Sequence, residues 1–169
     1  MASKKRSVRA GSKTVSAGAA NRLDAFANVW TGVIPGTPAE VSAVETALGV
    51  QIPDALSGFL VTCAFGKPER PFYYSARHRV EVGMGRILPL KDQPKVSGIV
   101  AAALVRRRVI GLPEHLVPFA VDNGNSDVIC VDSKSQSVIY WVHDEVPSER
   151  GRIVADSLQE FLSGLTDPP

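Results

Sequence analysis

The residues with the clearest chemical potential lie in a polar segment between two apolar runs, PFAVDNGNSDVICVD, at residues 118–132. Six small polar residues, Asp122 to Asp127, separate the two runs. A calcium loop of the EF-hand type needs oxygen ligands at positions 1, 3 and 5, a glycine at position 6 and a glutamate at position 12. Counted from Asp122, positions 3, 5, 6 and 12 hold Gly124, Ser126, Asp127 and Ser133. The segment therefore does not predict a calcium site.

Other metal sites and nucleophilic catalysis also find little support. The histidines and cysteines are His78, His115, His143, Cys63 and Cys130. They lack the CxxC or HxxxH spacing of zinc sites, and the chain has neither a GxSxG elbow nor a phosphate-binding loop. We therefore expect no metal and no cofactor. His143, Asp144 and Glu145 form the one cluster with acid/base potential, so an enzyme using His143 and Asp144 is the least favoured hypothesis.

The same polar residues are well placed to contact a partner. Asp122 to Asn125 is predicted to be a tight hairpin turn, with Asn123-Gly124 at positive φ. Turns and strand ends are where proteins usually present binding groups. If the two hairpin ends lie side by side, they form one polar patch that is acidic apart from His143. The predicted partner-binding residues are Asp122, Asn125, Asp127, Trp141, His143, Asp144 and Glu145. Trp141 is equally compatible with a core position in its strand.

The charge distribution separates an N-terminal arm from the rest of the chain. Residues 1–13 carry five basic and no acidic side chains, which leaves 14 basic and 17 acidic residues elsewhere. Residues 1–22 have almost no large apolar residue, so we predict a disordered basic arm followed by one domain over residues 23–169. Such an arm could contact nucleic acid or anionic lipid, and its composition resembles a transit peptide. The simplest interpretation is a solvated tail.

Length and composition indicate a soluble globular protein. The chain has 169 residues, of which 44% are hydrophobic and 21% charged. No apolar run approaches the roughly 20 residues of a membrane span, and no signal-peptide core is present. Both cysteines lie inside apolar runs, which favours buried free thiols in a reducing compartment. We therefore expect a cytoplasmic protein.

Apolar periodicity and capping signals predict about four helices and several strands. The helices begin at a Thr37–Glu40 capping box, near Pro53, near residue 96 and at a Ser157–Glu160 capping box. Arg106-Arg107-Arg108 at the third helix exit is predicted to be a solvated turn that complements the helix dipole. The predicted strands are Val80 to Leu90, Leu116–Val121, Val128–Val131 and Val138–Val142. This order, without regular βαβ alternation, predicts an α+β fold with a largely antiparallel sheet.

The ordered set of segments LPEHLVPFAVDNGNSDVICVD, SVIYWVHDE and IVADSLQEFL resembles the SUKH superfamily. That superfamily unites a fungal cell-wall-synthesis regulator with many bacterial toxin-immunity proteins. The matching motifs are Pro118-Phe119-Ala120, Asp122 to Asn125, Cys130-Val131-Asp132, Trp141 to Asp144, and Ser157 to Leu162. The resemblance covers about residues 28–165. It departs from the family pattern at Ala64-Phe65-Gly66, where members often have Asn-Gly-Gly.

The resemblance implies an α+β binding fold with no established catalytic residue. It also implies that bacterial members commonly neutralise a secreted toxin, often a nuclease or deaminase, by stoichiometric binding. The leading hypothesis is therefore a non-catalytic immunity protein. The alternative is a regulatory scaffold that binds an endogenous protein, as the fungal relatives do. In both cases the partner is a protein, and nucleic acid is expected only at the basic arm.

Overall fold

The computed structural model describes residues 30–124 and 126–169. The predicted arm, residues 1–22, and Asn125 lie outside the described residues. The helices are α1 (Pro38–Leu48), α2 (Asp54–Cys63), α3 (Ile99–Ile110) and α4 (Leu158–Ser163). The strands are β1 (Trp30–Thr31), β2 (Lys67–Pro68), β3 (Phe72–Ser75), β4 (Val80–Ile87), β5 (Leu116–Asp122), β6 (Val128–Asp132), β7 (Val138–Trp141) and β8 (Gly151–Ala155).

Local sequence signals account for the helix boundaries. The Thr37 hydroxyl accepts a hydrogen bond from the Glu40 amide at 3.2 Å, and the Glu40 carboxylate accepts one from the Thr37 amide at 2.8 Å. The first predicted capping box is therefore confirmed. At α4, Ser157 accepts from the Glu160 amide at 3.1 Å, but the Glu160 carboxylate accepts from the amide of Asp156. Only one of the two hydrogen bonds of the second capping box is therefore present, because the Glu160 carboxylate binds the amide of Asp156 instead of that of Ser157.

Six strands form one sheet in the order β3-β4-β5-β6-β7-β8, so each strand pairs antiparallel with the next along the chain. The short strands β1 and β2 pair separately. The predicted α+β class with four helices and a largely antiparallel sheet is confirmed. The central strands β5 and β6 are buried up to their final residues, Asp122 and Asp132. Because β5 and β6 are antiparallel, Asp122 and Asp132 lie at opposite ends of the sheet.

A chain of aromatic rings attaches the helices to the central strand. Phe59 of α2 and Phe161 of α4 each approach Phe119 of β5 edge to face, with ring centroids 6.4 and 6.3 Å apart. Trp30 meets Phe59 at 5.3 Å. Phe59, Phe119 and Phe161 are fully buried, and edge-to-face pairs of this kind add to the stability gained from burial. These contacts fix β5, and with it the position of Asp122.

Both cysteines belong to the core. Cys63 in α2 and Cys130 in β6 are buried and free, as the sequence predicts. Burial raises the pKa of Cys63 to about 11, and it also raises the pKa of Cys130. Because the thiolate is the nucleophilic form of cysteine, neither side chain is prepared for nucleophilic chemistry.

The sequence prediction misses the edge strands. β3 and β8 close the two edges of the six-stranded sheet, and β4 ends at Ile87 before the predicted limit at Leu90. β8 begins with three exposed residues and ends with two buried ones, so it lacks the alternation from which strands are recognised. Within residues 30–124 and 126–169, no helix has both the length and the apolar character needed to cross a membrane.

Candidate functional site at one end of the sheet

Antiparallel pairing brings the two polar segments together. Val121 of β5 pairs with Val128 of β6, and Val128 pairs with Trp141 of β7. The end of β5, the start of β6 and the end of β7 therefore share one end of the sheet, which we call the site end. The loop after β5 and the residues after Trp141 both emerge there. The two hairpin ends therefore lie side by side, which is the arrangement that a shared polar patch requires.

The β5–β6 loop is organised by the carboxylate of Asp122. Its oxygens accept hydrogen bonds from the amides of Gly124, Ser126 and Asp127 at 3.0, 2.9 and 3.0 Å. Asn123 and Gly124 lie in a turn, as the sequence predicts, but neither has a positive φ, so the predicted left-handed Asn-Gly conformation is wrong. The β5–β6 connection spans residues 123–127. An aspartate side chain can accept hydrogen bonds from the amides that follow it without a positive φ at Asn123 or Gly124. Asp122 is thus a structural organiser of the site.

Two glycines of β4 allow this loop to lie against the strand. The Asn123 amide donates to the Gly83 carbonyl oxygen at 2.9 Å. A Cβ atom on Gly85 would overlap the carbonyl oxygen of Asp122, and the β4–β5 register shifts between Met84 and Arg86. The segment Gly83-Met84-Gly85 is therefore explained by close backbone approach, which only glycine permits.

Asp127 is the centre of the site. One of its carboxylate oxygens accepts from the Tyr140 hydroxyl at 2.8 Å. The other lies 2.8 Å from the His143 amide and 2.7 Å from His143 Nδ1. Burial alone would raise the pKa of Asp127, but the hydrogen bonds from His143 and Tyr140 outweigh it and lower that pKa. Burial and the Asp127 carboxylate together raise the pKa of Tyr140.

His143 lies between two carboxylates. Its Nδ1 faces Asp127, and its Nε2 lies 2.9 Å from a carboxylate oxygen of Asp144. The hydrogen bond to Asp127 raises the pKa of His143 against an opposing desolvation effect, and the charge of Asp144 adds to the rise. Because the two carboxylates contact different ring nitrogens, they do not converge on one point. No group of three or more His, Cys, Asp or Glu residues in the described part of the chain could hold a metal.

Asp144 and Glu145 are neighbours with different environments. The Asp144 side chain is 83% exposed, and it contacts His143. Glu145 is 26% exposed and forms an ion pair with Arg152 of β8. Its carbonyl oxygen also accepts from Arg150 Nε at 2.8 Å. Of the two acidic residues, Asp144 is the one that presents its carboxylate to solvent.

Trp141 is buried beneath the site. It is 8% exposed and pairs with Gly151 of β8, where an added Cβ would lie 3.0 Å from the indole ring. The sequence is compatible with either a core position or an exposed partner-binding position for Trp141, and the structure shows the core position. Trp141 therefore supports the backbone that leads to His143.

Arginines that the sequence analysis did not assign to the site border it. Arg106 of α3 donates to the Ser126 carbonyl oxygen at 3.4 Å, and Arg150 donates to the Ile110 carbonyl oxygen at 2.6 Å. Arg107 donates to the Leu48 carbonyl oxygen at 3.3 Å, so the predicted solvated arginine turn is wrong for Arg106 and Arg107. The patch is therefore not acidic apart from His143. No sequence signal identifies these contacts, because each arginine binds a backbone carbonyl far along the chain.

Exposed valines flank the charged residues. Val105 and Val109 lie on the exposed side of α3, and Val109 is 72% exposed. Val146, 56% exposed, follows Glu145. The Arg150 bonds to Ile110 and Glu145 hold this segment beside the end of α3. The site end thus combines apolar side chains with charged ones.

Two shallow concavities of the described surface lie away from these residues. One, between α1, β5 and the β6–β7 turn, is lined by Gly49, Val50, Glu114, His115, Ser133 and Lys134. The other lies between α1 and α3 and includes Val44, Leu90 and Leu104. Neither includes Asp127, His143 or Asp144. The site is therefore a surface rather than part of either concavity, which suits a macromolecular partner better than a small molecule.

Comparison with known proteins supplies the family. No curated protein matches the chain at a significant level. A family model described as the SMI1 / KNR4 family (SUKH-1) matches residues 35–164, from just before α1 to just after α4. The match spans most of the chain and includes every strand of the six-stranded sheet and both segments of the site. It confirms the resemblance to the SUKH superfamily, and the chain belongs to the SMI1/KNR4 family (SUKH-1).

Proposed function

We propose that this chain is an immunity protein that neutralises a bacterial toxin domain, of nuclease or deaminase type, by stoichiometric binding in the cytoplasm. The SUKH family includes toxin-immunity proteins and regulators, binds protein partners and is generally non-catalytic. Family membership supports a binding function.

The proposed binding surface is the site end of the sheet. It comprises the residues expected from the sequence, Asp122, Asn125, Asp127, Trp141, His143, Asp144 and Glu145. We assign direct contact to Asp144 and to His143 beside it, since the Asp144 side chain is 83% exposed and the His143 side chain is 37% exposed. Asp122, Asp127, Trp141 and Glu145 then position the backbone and side chains around them.

The observation that carries this proposal is the exposed Asp144 carboxylate in contact with His143, which is itself hydrogen-bonded to the largely buried Asp127. Asp127, 13% exposed, binds His143, and His143 binds Asp144. A side chain already fixed before association loses less conformational entropy when it binds. Asp144 is therefore a preorganised acceptor for a cationic or N–H group of the partner.

The exposed valines supply the apolar part of such an interface. Protein interfaces commonly combine a desolvated apolar centre with a polar rim. Val109 and Val146 are both more than half exposed. Val146 follows Glu145, and Val109 precedes Ile110, whose carbonyl oxygen accepts a hydrogen bond from Arg150. We infer that they contact the same partner as Asp144.

Acid/base catalysis by His143 and Asp144 has weaker support. The histidine nitrogen that would face a substrate, Nε2, is occupied by Asp144 at 2.9 Å. The thiols of the described residues are buried in the core rather than beside His143. A general acid or base must lie within hydrogen-bonding distance of the group that it protonates or deprotonates. Binding therefore explains the geometry better than turnover does.

The test is a binding titration of the full chain with the toxin domain encoded beside its gene. We expect the Asp144→Lys variant to remain folded, because Asp144 is exposed, and to bind at least about 30-fold more weakly, corresponding to the roughly 2–5 kcal/mol of a disrupted interfacial charge contact. Asp167→Lys is the matched control, since Asp167 is 74% exposed and lies next to Arg70 rather than in the site. Circular dichroism would verify the fold of both variants.

Wild-type affinity in a folded Asp144→Lys protein would contradict the proposed surface. Failure of the wild type to bind the toxin domain would contradict the immunity function. Tight binding to an endogenous regulatory protein instead would support the scaffold alternative.

A further inference from the structure

The two contacts of the His143 ring place a strict requirement on its protons. Carboxylates accept hydrogen bonds and do not donate them, so each ring nitrogen that faces a carboxylate needs its own proton. A neutral imidazole carries one N–H, whereas the imidazolium carries two. Nδ1 lies 2.7 Å from Asp127 and Nε2 lies 2.9 Å from Asp144. The Nδ1 contact is a hydrogen bond and the Nε2 contact is an ion-pair distance, so both are attractive in the protonated ring, whereas a neutral ring leaves one nitrogen lone pair facing a carboxylate.

Loss of one proton must break one of these contacts, and the two are not equivalent. Asp127 is largely buried and also accepts from the Tyr140 hydroxyl and the His143 amide. Asp144 is 83% exposed, and water can replace its contact with His143. The neutral ring should therefore keep its proton on Nδ1, toward Asp127. The lone pair of Nε2 would then face the Asp144 carboxylate and repel it.

We propose that His143 is a pH-sensitive clamp that holds Asp144 in its binding position when protonated and releases it when neutral. The clamp rests on the proposed function, because Asp144 is the group that we assign to partner contact. It gives the interface a regulated element: affinity should be highest when His143 is charged and should fall as the pH rises.

Charged and titratable groups from several elements surround the clamp. Arg152 is paired with Glu145, and Arg106 donates to the Ser126 carbonyl oxygen, so both cations already have partners. The carboxylates nearest the ring favour its charged form. The groups facing this region are Asp122 and Asp127 of the β5–β6 loop, Tyr140 of β7, Asp144 and Glu145 after β7, Arg106 of α3 and Arg152 of β8.

The clamp is tested on the full chain alone by ¹⁵N NMR of the histidine rings across pH, with His143→Gln used to assign the signals. We expect both His143 nitrogens to be protonated below the ordinary pKa near 6.5. Deprotonation should occur above the ordinary value near 6.5 and should leave the proton on Nδ1. The amides of Asp144 and Glu145 should shift with the same midpoint in the wild type and should lose that shift in His143→Gln.

A charge-matched pair of variants separates the clamp from a general field effect. Asp144→Asn should lower the His143 midpoint, because one of the two carboxylates that favour the charged ring is removed. Asp167→Asn removes the same charge outside the site and should leave the midpoint unchanged. An Nε2–H neutral ring, or equal midpoints in wild type and Asp144→Asn, would overturn the clamp.

The link to binding is measured separately. Toxin-domain affinity should fall through the His143 midpoint in the wild type, and Asp144→Asn should bind weakly without that step. A pH-independent wild-type affinity would overturn the regulatory role even if the NMR titration succeeds. Because the NMR measurement uses no partner, its failure would leave the proposed binding function standing, and failure to bind the toxin would leave the clamp standing.

Discussion

Strands β5 and β6 end in the same way at opposite ends of the sheet. Each is buried up to a final aspartate whose carboxylate accepts hydrogen bonds from the turn that follows. Asp122 binds the amides of the β5–β6 loop, and Asp132 binds the Lys134 amide at 2.8 Å and the Ser135 hydroxyl at 2.9 Å. Viewed as local structure, the two aspartates have the same role.

The two ends differ in what lies beyond the turn. At the Asp132 end, Gln136 has a φ of 65°, and His115 contributes its backbone carbonyl to the Ser133 amide. At the site end, a second carboxylate, Asp127, is bound by Tyr140 and His143, which lie 13 and 16 positions later. A strand-ending aspartate that binds the following turn therefore has a structural role and does not by itself indicate a binding site. It becomes a candidate binding site only where a second hairpin adds an exposed charged group.

The largest effect should come from the close approach that supports the site-end loop. Gly85→Ala would place a methyl group against the Asp122 backbone, which cannot move without disturbing the sheet, and should destabilise the protein by about 3 kcal/mol. Gly83→Ala meets the flexible Asn123 side chain, with the added Cβ 2.7 Å from its Nδ2, and should cost only about 1 kcal/mol. Urea unfolding followed by tryptophan fluorescence measures both. Equal losses of unfolding free energy in the two variants would show that the Asp122 backbone moves as easily as the Asn123 side chain.

A smaller effect should distinguish the two ends directly. Asp127→Asn replaces one acceptor oxygen of a largely buried carboxylate and should cost about 1–3 kcal/mol, because Tyr140 or His143 loses its partner. Asp132→Asn affects a more exposed turn and should cost about 0.5–1 kcal/mol. Chemical denaturation at neutral pH compares the two. A greater loss for Asp132→Asn would contradict the assignment of Asp127 as the centre of the site.

The smallest effect should appear in the pH dependence of stability. Burial opposes ionisation of Asp127 and Asp132, but their hydrogen bonds lower both pKa values, so their stabilisation is complete above the ordinary pKa near 3.8 and is lost as the pH falls through the lowered values. The raised pKa of His143 changes stability with pH in the opposite direction. Its contribution is complete below about 6.5 and is lost as the pH rises through the raised value.

The acid loss should therefore arise at both ends of the sheet and the alkaline loss at the site end. Thermal unfolding from about pH 3 to about pH 9 should show both losses in the wild type. His143→Gln should remove the alkaline loss, and Asp132→Asn should reduce the acid loss while keeping the alkaline one. An unchanged alkaline loss in His143→Gln would assign that effect to another group.

The sequence by itself determined the features that depend on residues near one another in the chain. The Thr37–Glu40 cap, the αL position of Gly49 and the buried stretches of β5 and β6 all follow from spacing or from an uninterrupted apolar run. The strongest helices and central strands were therefore predictable. The edge strands β3 and β8 were not. In β3 the buried Tyr73 and the exposed Tyr74 are the same residue type, and in β8 three exposed residues precede two buried ones, so neither strand shows alternation in its residue types.

The tertiary structure decided which polar residues meet. Asp127 and His143 come together through the β6–β7 register, and a slip by one residue would turn their side chains to opposite faces. The tertiary structure also gives Asp144 and Glu145 different environments, because only Glu145 pairs with Arg152. Arg106 and Arg150 connect α3 to the site through their hydrogen bonds to the Ser126 and Ile110 carbonyl oxygens. The sequence could indicate that these side chains are polar and near strand ends. Their contacts depend on strand register and helix packing, which join residues far apart in the chain and leave no local pattern.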